Sequence, residues 1–440
     1  MISFSSIGGS PINCTKHVPK SERAIMPNAM SSLQDGNGEP TQTFFMRAGI
    51  VLLAVFVYFS VMNIAEAAKQ SAFEPGKDWP DNNGVHINAH GGGFLFHEGK
   101  YYWFGEHKIA GRGGNTAQVG VHVYSSADLY NWHDEGIALA VSDDPDSEIT
   151  KGCIIERPKV IYNAKTKKFV MWMHLEHKGK GYSASRAAVS VADNVTGPYT
   201  FLKSYRPNAG LFPLNFTDAD HARFEQWKKP DFRTLEPQPK DWYFGRFVRG
   251  FDMGQESRDM TVFVDDDGTA YHVHSSEENR TLHICKLTED YTGYTNDFVR
   301  VLPGGANEAP AVVKHDGRYY ILASGLTGWH PNDARYLVAD KMFGPWTRMA
   351  NPCVGKNPMT KLGANKTFGG QSTAIIPVQG KKDAYISVFD EWHPRNAIEG
   401  KYYFLPLYFE SGKMIIPWKD KWDLSFFDRP PSIQNESTQH

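Results

Sequence analysis

A strand–turn–strand unit that recurs five times constrains this chain more than any other feature of its sequence. In each copy an apolar strand is followed by a turn with Gly, Asp or Lys and then by a second, aromatic or apolar strand. The first strands of the five units cover residues 92–96, 158–162, 260–264, 310–314 and 372–376. Their spacing is roughly 50–70 residues with one gap of about 100, which is typical of propeller blades. A β-sandwich would give evenly spaced strands and no long period. The repeat therefore predicts an all-β fold, a five-bladed β-propeller of four-stranded antiparallel blades around a central channel.

A second repeat supports this interpretation. Val191-Ala192-Asp193 precedes Gly197-Pro198, and Val338-Ala339-Asp340 precedes Gly344-Pro345 in the same register. The gap at about residues 203–250 is predicted to be an insertion between the second and third units. Since no amphipathic window longer than two turns stands out after residue 70, no such helix is expected.

The first 67 residues are predicted to lie outside the propeller. Residues 1–45 are polar and irregular and are expected to be a non-structural leader, with translation starting at Met46. Residues 46–67 combine a basic residue, an apolar run at 48–65 and a small-x-small end, which indicates a signal peptide. The protein is therefore expected to be secreted or periplasmic; the alternative is a membrane anchor formed by residues 48–65. The predicted catalytic propeller covers 75–430, and 431–440 a disordered tail.

Charge and cysteine content exclude several classes of partner and cofactor. With 47 basic and 49 acidic residues, the chain lacks the basic excess of a nucleic-acid-binding protein. The four cysteines show no CxxC spacing, so neither a zinc site nor a dithiol motif is predicted, and one disulfide stays open. No protein partner and no cofactor is expected. The acidic turn at 265–268 lacks the ligand pattern of an EF-hand, although a structural calcium ion stays an open alternative.

Polar side chains precede or open the first strand of every unit. These residues are His90, Glu156, Asp259, Glu308 and Gln371. Because the innermost strands of a propeller begin at one mouth of its channel, these five side chains are expected to converge. Buried carboxylates need a partner or a substrate, and paired carboxyl groups across a pocket are what glycoside hydrolysis requires.

The sequence resembles glycoside hydrolase family 43, the five-bladed propeller glycosidases, over nearly all of residues 78–430. Five motifs carry the resemblance together: Ala89-His90-Gly91-Gly92-Gly93, Glu156-Arg157-Pro158-Lys159-Val160, Arg258-Asp259-Met260, Asn307-Glu308-Ala309-Pro310 and Gly370-Gln371-Ser372-Thr373. The resemblance implies that Glu308 is the general acid and that Asp259 tunes its pKa and orients it. In the first blade the family usually has an aspartate that acts as the general base. This chain has the stretch Ala89-His90-Gly91-Gly92-Gly93 at that point instead.

That departure is similar to the exo-β-1,3-galactanase branch, where a glutamine matching Gln371 assists the water and a glutamate matching Glu156 lines the sugar site. The same branch implies substrate contacts at Glu106, Tyr182, Thr327 and Trp329, and His90 is counted with them. Trp329 is either a sugar-stacking platform or a wedge between blades, and Trp392 and His393 are weaker candidates.

The predicted function is an inverting exo-β-1,3-galactanase or β-galactosidase acting on plant-type galactan side chains. The alternatives are an α-L-arabinofuranosidase or β-xylosidase of the same family, a non-catalytic sugar-binding propeller, and a structural interaction propeller.

Overall fold

The computed structural model describes residues 69–116, 119–228 and 242–428. The predicted leader, signal segment and tail lie outside the described residues, as does part of the predicted insertion.

Five sheets, each built from consecutive strands, surround a central channel. The first sheet contains β1 (His90–His97), β2 (Lys100–His107), β3 (Gly120–Ser126) and β4 (His133–Ala140). The second contains β5 (Ile154–Asn163), β6 (Lys168–Glu176), β7 (Arg186–Ala192) and β8 (Thr200–Tyr205). The third contains β9 (Met260–Val264), β10 (Ala270–Ser276), β11 (Thr281–Leu287) and β12 (Tyr294–Val301). The fourth contains β13 (Glu308–His315), β14 (Arg318–Ser324), β15 (Arg335–Ala339) and β16 (Thr347–Arg348). The fifth contains β17 (Cys353–Val354), β18 (Gln371–Pro377), β19 (Tyr385–Glu391), β20 (Lys401–Glu410) and β21 (Lys413–Pro417).

The five-bladed propeller predicted from the sequence is confirmed, and all five predicted hairpins are present. The fifth blade adds a short outer strand, β17, which pairs parallel to β21. Short 3₁₀ helices lie at Ala364–Gly369, Ala397–Glu399 and Leu424–Asp428. Both repeats at Gly197-Pro198 and Gly344-Pro345 carry a cis peptide bond. No helix of the described residues has the length and apolar character that crossing a bilayer requires.

The aromatic second strands form the core between blades. Successive side chains of a strand point to opposite faces, and in a propeller each face of a blade packs on a neighbour. Tyr101 and Trp103 of β2 pack in the cluster shared with the fifth blade, whereas Tyr102 and Phe104 pack in the cluster shared with the second. This two-sided burial is why these strands read as continuous apolar runs.

The ring closes through a short antiparallel contact between the two ends of the described chain. Phe73 and Trp422 exchange backbone hydrogen bonds of 2.7 and 3.1 Å, and both rings are buried. The first blade comes entirely from the N-terminal side and the fifth entirely from the C-terminal side, so no blade combines strands from both ends.

The described part of the insertion forms two helices, α1 (Asp218–Lys228) and α2 (Trp242–Gly250). Its phenylalanines, among them Phe224 and Phe247, pack with Phe298 on the outer strand of the third blade. The expectation of no amphipathic helix longer than two turns is wrong, because α1 has 11 residues and α2 has nine residues, about two and a half turns. The polar sequence of α1 buries only Phe224 and leaves no apolar stripe to detect, whereas α2 buries Phe244 and Phe247 and does carry an amphipathic pattern. The reciprocal hydrogen bonds between Thr217 and Asp220 at the start of α1 are a capping box that the sequence did offer.

Candidate active site

The first strands of all five blades begin at one mouth of the channel and surround a pocket of about 250 Å³. Seven of the nine predicted site residues line it: Glu106, Glu156, Tyr182, Asp259, Glu308, Trp329 and Gln371. The other lining residues are Asn115, Arg157, His174, Arg258, Asn279, Gly328 and Trp392.

A shared backbone irregularity positions the polar residues at this mouth. The pairing register shifts directly after His90 in β1, after Glu156 in β5 and after Glu308 in β13. The next residue in each strand has a positive φ: 58° at Gly91, 55° at Arg157 and 53° at Ala309. Such bulges bend a strand and re-aim its side chains, so the blades use one device to present different groups at equivalent points.

Glu308 has the environment of a general acid. Its side chain is 9% exposed, and its Oε1 accepts a 2.6 Å hydrogen bond from Asn279 Nδ2. Burial and the nearby negative charge of Asp259 raise the pKa of Glu308 to about 8, against the opposing effect of Arg157. A carboxyl group with this pKa holds its proton at neutral pH and can give it to a leaving oxygen.

Asp259 lies next to the acid and is held by two donors. Its Oδ2 accepts hydrogen bonds from Arg157 Nη2 at 3.1 Å and from the Ala309 backbone N–H at 3.0 Å. Because Ala309 follows Glu308, Asp259 ties the third blade to the backbone that carries the acid. This places a carboxylate paired with a guanidinium beside a neutral carboxylic acid.

Gln371 opens β18 and is hydrogen-bonded on both ends of its amide. Its Oε1 accepts from Arg157 Nη2 at 2.6 Å and from Trp392 Nε1 at 3.0 Å. Its Nε2 donates to Ser324 Oγ at 3.0 Å. Arg157 therefore connects Gln371 to Asp259 through one nitrogen.

Glu156 is part of a buried charged row on the second blade. Its Oε2 lies 3.0 Å from His174 Nδ1, His174 Nε2 lies 3.0 Å from Glu176 Oε1, and Tyr182 donates to Glu156 Oε1 at 2.6 Å. Burial opposes charge on both groups, but the hydrogen bonds and mutual attraction outweigh it: the pKa of Glu156 falls to about 2, and that of His174 rises to about 9.

Glu156, His174 and Asp259 bring possible ligand atoms within 4.8 Å of one another. Both ring nitrogens of His174 already lie 3.0 Å from carboxylate oxygens, of Glu156 and Glu176, and Asp259 is paired with Arg157. Each of these three possible ligand groups therefore has a protein partner.

Glu106 forms the wall on the first blade. Its Oε2 is 2.6 Å from Lys108 Nζ, and its Oε1 accepts the backbone N–H of Arg157 at 2.9 Å. Burial raises the pKa of Glu106, Lys108 opposes the shift, and Glu156 adds to it. A Cβ atom on Gly91 would lie 2.2 Å from Glu106 Oε1, so only glycine fits there.

Two aromatic side chains are exposed at the pocket mouth. Trp329 is 44% exposed and Tyr182 is 40% exposed, which is more than most large rings among the described residues. Trp329 meets Trp392 edge to face with the ring centroids 5.7 Å apart. An exposed ring at the pocket mouth is accessible for stacking against a sugar, so the stacking platform stays a prediction.

The structure places His90 and Thr327 off the pocket wall, contrary to the expectation that they contact substrate. His90 is 1% exposed and stacks on Tyr402 at 5.2 Å, in space left by the missing side chain of Gly400. Thr327 donates to His330 O and accepts from Asn332 Nδ2 at 2.7 Å, so its hydroxyl serves the loop that carries Trp329.

Arg157, Asn279 and His174 are site residues that sequence reasoning missed. Arg157 lies next to Glu156 in the motif Glu156-Arg157-Pro158-Lys159-Val160, and this position was the signal that could have identified it. Asn279 comes from the turn between β10 and β11, where Glu277, Glu278 and Asn279 all have φ between 54° and 60°. No sequence pattern predicts such a turn.

Comparison with known proteins agrees with this geometry. The family model described as glycosyl hydrolases family 43 matches residues 237–387. The solved structure of a family 43 β-1,3-galactosidase with galactodeoxynojirimycin is 49% identical, covers 80% of this chain and 100% of that one, and has a TM-score of 0.73. An exo-β-1,3-galactanase from Clostridium thermocellum is 32% identical, covers 80% of this chain and 66% of that one, and has a TM-score of 0.63.

A β-D-galactofuranosidase from Aspergillus niger is 29% identical over 135 residues, which are 29% of this chain and 39% of that enzyme. The full-length match to the β-1,3-galactosidase decides the classification. The chain belongs to glycoside hydrolase family 43 and is a glycosidase.

Proposed function

We propose that this protein is an inverting exo-β-1,3-galactanase or β-galactosidase, which releases terminal galactose from β-1,3-galactan such as plant-type galactan side chains. The observation that carries the proposal is the buried Glu308 beside Asp259 on the wall of the pocket. A protonated acid and an ionised carboxylate in one sugar-sized pocket are what hydrolysis of a glycosidic bond needs. The similar β-1,3-galactosidase and exo-β-1,3-galactanase support galactose as the sugar.

In this mechanism Glu308 gives its proton to the glycosidic oxygen as the C1–O bond breaks. The negative charge of Asp259 favours the protonated form of Glu308, and Asp259 also holds the backbone that carries Glu308. Water attacks C1 from the opposite side of the ring. Gln371 either orients this water as a hydrogen-bond partner or takes up its proton as an imidic-acid relay. An amide is a poor proton acceptor, which distinguishes this site from one with a basic carboxylate.

The rest of the pocket recognises the terminal sugar. Glu156 and Glu106 offer carboxylate oxygens to hydroxyl groups, and the Trp329 ring offers an apolar face for stacking. Tyr182 closes one side through its hydrogen bonds to Glu156 and Asn115. The pocket volume of about 250 Å³ suits one terminal residue better than the interior of a polymer.

A β-D-galactofuranosidase is a second candidate, because the Aspergillus niger relative carries that activity in its name. The arabinofuranosidase, xylosidase and pure sugar-binding alternatives have no such observation in their favour. A protein that only binds sugar also has no need for a carboxyl group kept protonated by its surroundings.

A substrate panel tests the proposal. We expect galactose release from β-1,3-galactan and from nitrophenyl β-galactopyranoside, with little release from galactofuranoside, arabinofuranoside or xyloside. NMR of the first product should show inverted configuration. Release of galactofuranose with no action on galactan would replace the proposal with the second candidate.

Glu308→Gln should reduce turnover of β-1,3-galactan by at least about 10³-fold while galactose binding, measured by calorimetry, is retained. Glu289→Gln, at a carboxylate 84% exposed on the surface, is the matched control and should keep wild-type turnover. Wild-type turnover in Glu308→Gln would show that another group is the acid.

We also propose that the protein is exported and that the signal segment is cleaved near Ala67. The support is the apolar run at residues 48–65 and its Ala65-Glu66-Ala67 end. N-terminal sequencing of protein from the culture medium or periplasm should give a start close to residue 68. A protein found only in membranes, with residues 48–65 retained, would favour the anchor.

A further inference from the structure

We propose that Gln371 is locked in its amide form and holds the attacking water as a hydrogen-bond donor, and that Trp392 and Ser324 are the positioning residues that set this lock. The inference rests on the proposed function and decides between the two roles open to Gln371. It also assigns a part in the reaction to Trp392 and Ser324, which is to orient the amide of Gln371.

The oxygen end of the amide is identified by its neighbours. Arg157 Nη2 at 2.6 Å and Trp392 Nε1 at 3.0 Å both face the same atom of Gln371. Guanidinium and indole nitrogens only donate hydrogen bonds, so the atom they share is the carbonyl oxygen. A carbonyl oxygen has two lone pairs, and both are occupied here.

The nitrogen end is identified in the same way. Gln371 Nε2 lies 3.0 Å from Ser324 Oγ, and that hydroxyl donates its own proton to a backbone carbonyl, with Gly325 O at 3.2 Å. A hydroxyl whose proton is used elsewhere accepts, so Gln371 Nε2 donates to it. The second N–H of the amide is left for a water molecule in the pocket.

The imidic-acid form conflicts with these neighbours. It places a proton on the oxygen, where two donors already point, and one of them is the positively charged Arg157. It also leaves the nitrogen with a single proton, which is used on Ser324, so that the nitrogen then accepts a hydrogen bond from the water and no longer donates one to it. Since unmade hydrogen bonds at buried groups are costly, the surroundings of Gln371 hold it as an amide.

With Gln371 held as an amide, the bonds and protons of the reaction still balance. The water oxygen, oriented by the N–H of Gln371, forms its bond to C1 while the bond from C1 to the glycosidic oxygen breaks. Glu308 supplies the proton that the leaving oxygen gains. The attacking water releases its extra proton to solvent water, and Glu308 regains a proton from solvent.

Trp392→Phe separates the two roles. The variant removes the indole N–H but keeps a ring beside Trp329 and Arg157, whose guanidinium carbon lies 5.4 Å from the Trp392 centroid. If the amide is locked, kcat on β-1,3-galactan should fall about tenfold, as expected for one hydrogen bond, and KM should change less than about twofold. The alkaline limb of the pH–rate profile should stay at the wild-type pH. A relay predicts equal or faster turnover, because one donor against the oxygen is gone.

Trp346→Phe is the matched control, since Trp346 also uses its N–H on one acceptor, Met342 O at 2.9 Å, and takes no part in the pocket. It should keep the wild-type kcat. Ser324→Ala frees the other end of the amide and should lower kcat in the same direction as Trp392→Phe. Thermal unfolding of each variant identifies any that fails to fold, and the remaining one then decides.

Gln371→Glu gives an independent measurement. The carboxylate keeps an oxygen that accepts from Arg157 and Trp392, but both N–H groups are gone. If the amide is locked, kcat should therefore fall about 100-fold or more, and the pH–rate profile should show no new acidic limb. Activity within tenfold of wild type with a new acidic limb would overturn the proposal, as would a wild-type kcat in Trp392→Phe. The Glu308→Gln and substrate experiments stand apart, so the galactanase assignment can hold even if the lock fails.

Discussion

Asp259→Asn should move the alkaline limb of the pH–rate profile to lower pH. The substitution removes a negative charge beside Glu308 and changes the shape of the side chain very little. Glu308 must be protonated to act as the acid, so activity is lost as pH rises through its pKa of about 8. Without Asp259 the charged form of Glu308 is less disfavoured, its pKa falls, and the loss begins earlier. Arg157, no longer paired with Asp259, adds to the shift.

The size of the shift follows from Coulomb's law. At a separation on the order of 6 Å, two unit negative charges repel by about 3 kcal/mol at an effective dielectric constant of about 20. Each pH unit corresponds to about 1.4 kcal/mol, so the limb should move down by about two units. Burial is the larger cause of the raised pKa and is unchanged, so the limb should stay above the ordinary range of a glutamate.

The assay is kcat/KM for a nitrophenyl galactoside from pH 4 to about 10, because this parameter reports the pKa values of the free enzyme. Asp266→Asn, at a side chain 85% exposed on the far turn of the third blade, is the control and should leave the limb in place. An alkaline limb that stays at the wild-type pH in Asp259→Asn, or moves upward, would refute the assignment of Asp259 as the group that tunes Glu308.

Three further predictions concern stability and fit. Because the pKa of Glu308 is raised from 4.5 to about 8 in the folded state, its contribution to stability is complete below pH 4.5 and is lost by about pH 8; the Tm of wild type should therefore fall over this interval more than that of Glu308→Gln, measured by scanning calorimetry. Gly91→Ala places a Cβ 2.2 Å from a carboxylate oxygen and should lower kcat/KM at least tenfold, whereas Gly99→Ala, with a similar positive φ but open space, should cost only about 1 kcal/mol of stability. Arg300→Met leaves Glu277 buried without its bidentate partner and should lower the free energy of unfolding by about 3–5 kcal/mol in urea titrations; a loss below about 1 kcal/mol would contradict this.

The fold could be predicted because each blade repeats one local pattern. A second strand such as β2, with Trp103 and Phe104 on opposite faces, can be buried on both sides only between two neighbouring blades. The same logic placed Glu156, Asp259, Glu308 and Gln371 at one mouth, since equivalent positions of a ring of repeats meet at its axis.

The misses arise where packing between blades decides the outcome. His90 has the same bulge as Glu156 and Glu308, yet its ring turns into the space beside Gly400, 310 residues further along the chain. Asn279 reaches Glu308 from a turn with three consecutive positive φ angles, and Arg157 acts through contacts with two other blades. None of these contacts is encoded in a local pattern.

The packing between the first and fifth blades sets an order for the assembly of the site. During synthesis, Glu106 emerges early and Gln371 and Trp392 emerge late, so the two blades can meet only after most of the propeller has been made. Trp103 then packs on Tyr402 and Phe404, and the backbone pairing of Phe73 with Trp422 adds to this contact. The wall of the pocket is therefore complete only after the fifth blade has been synthesised.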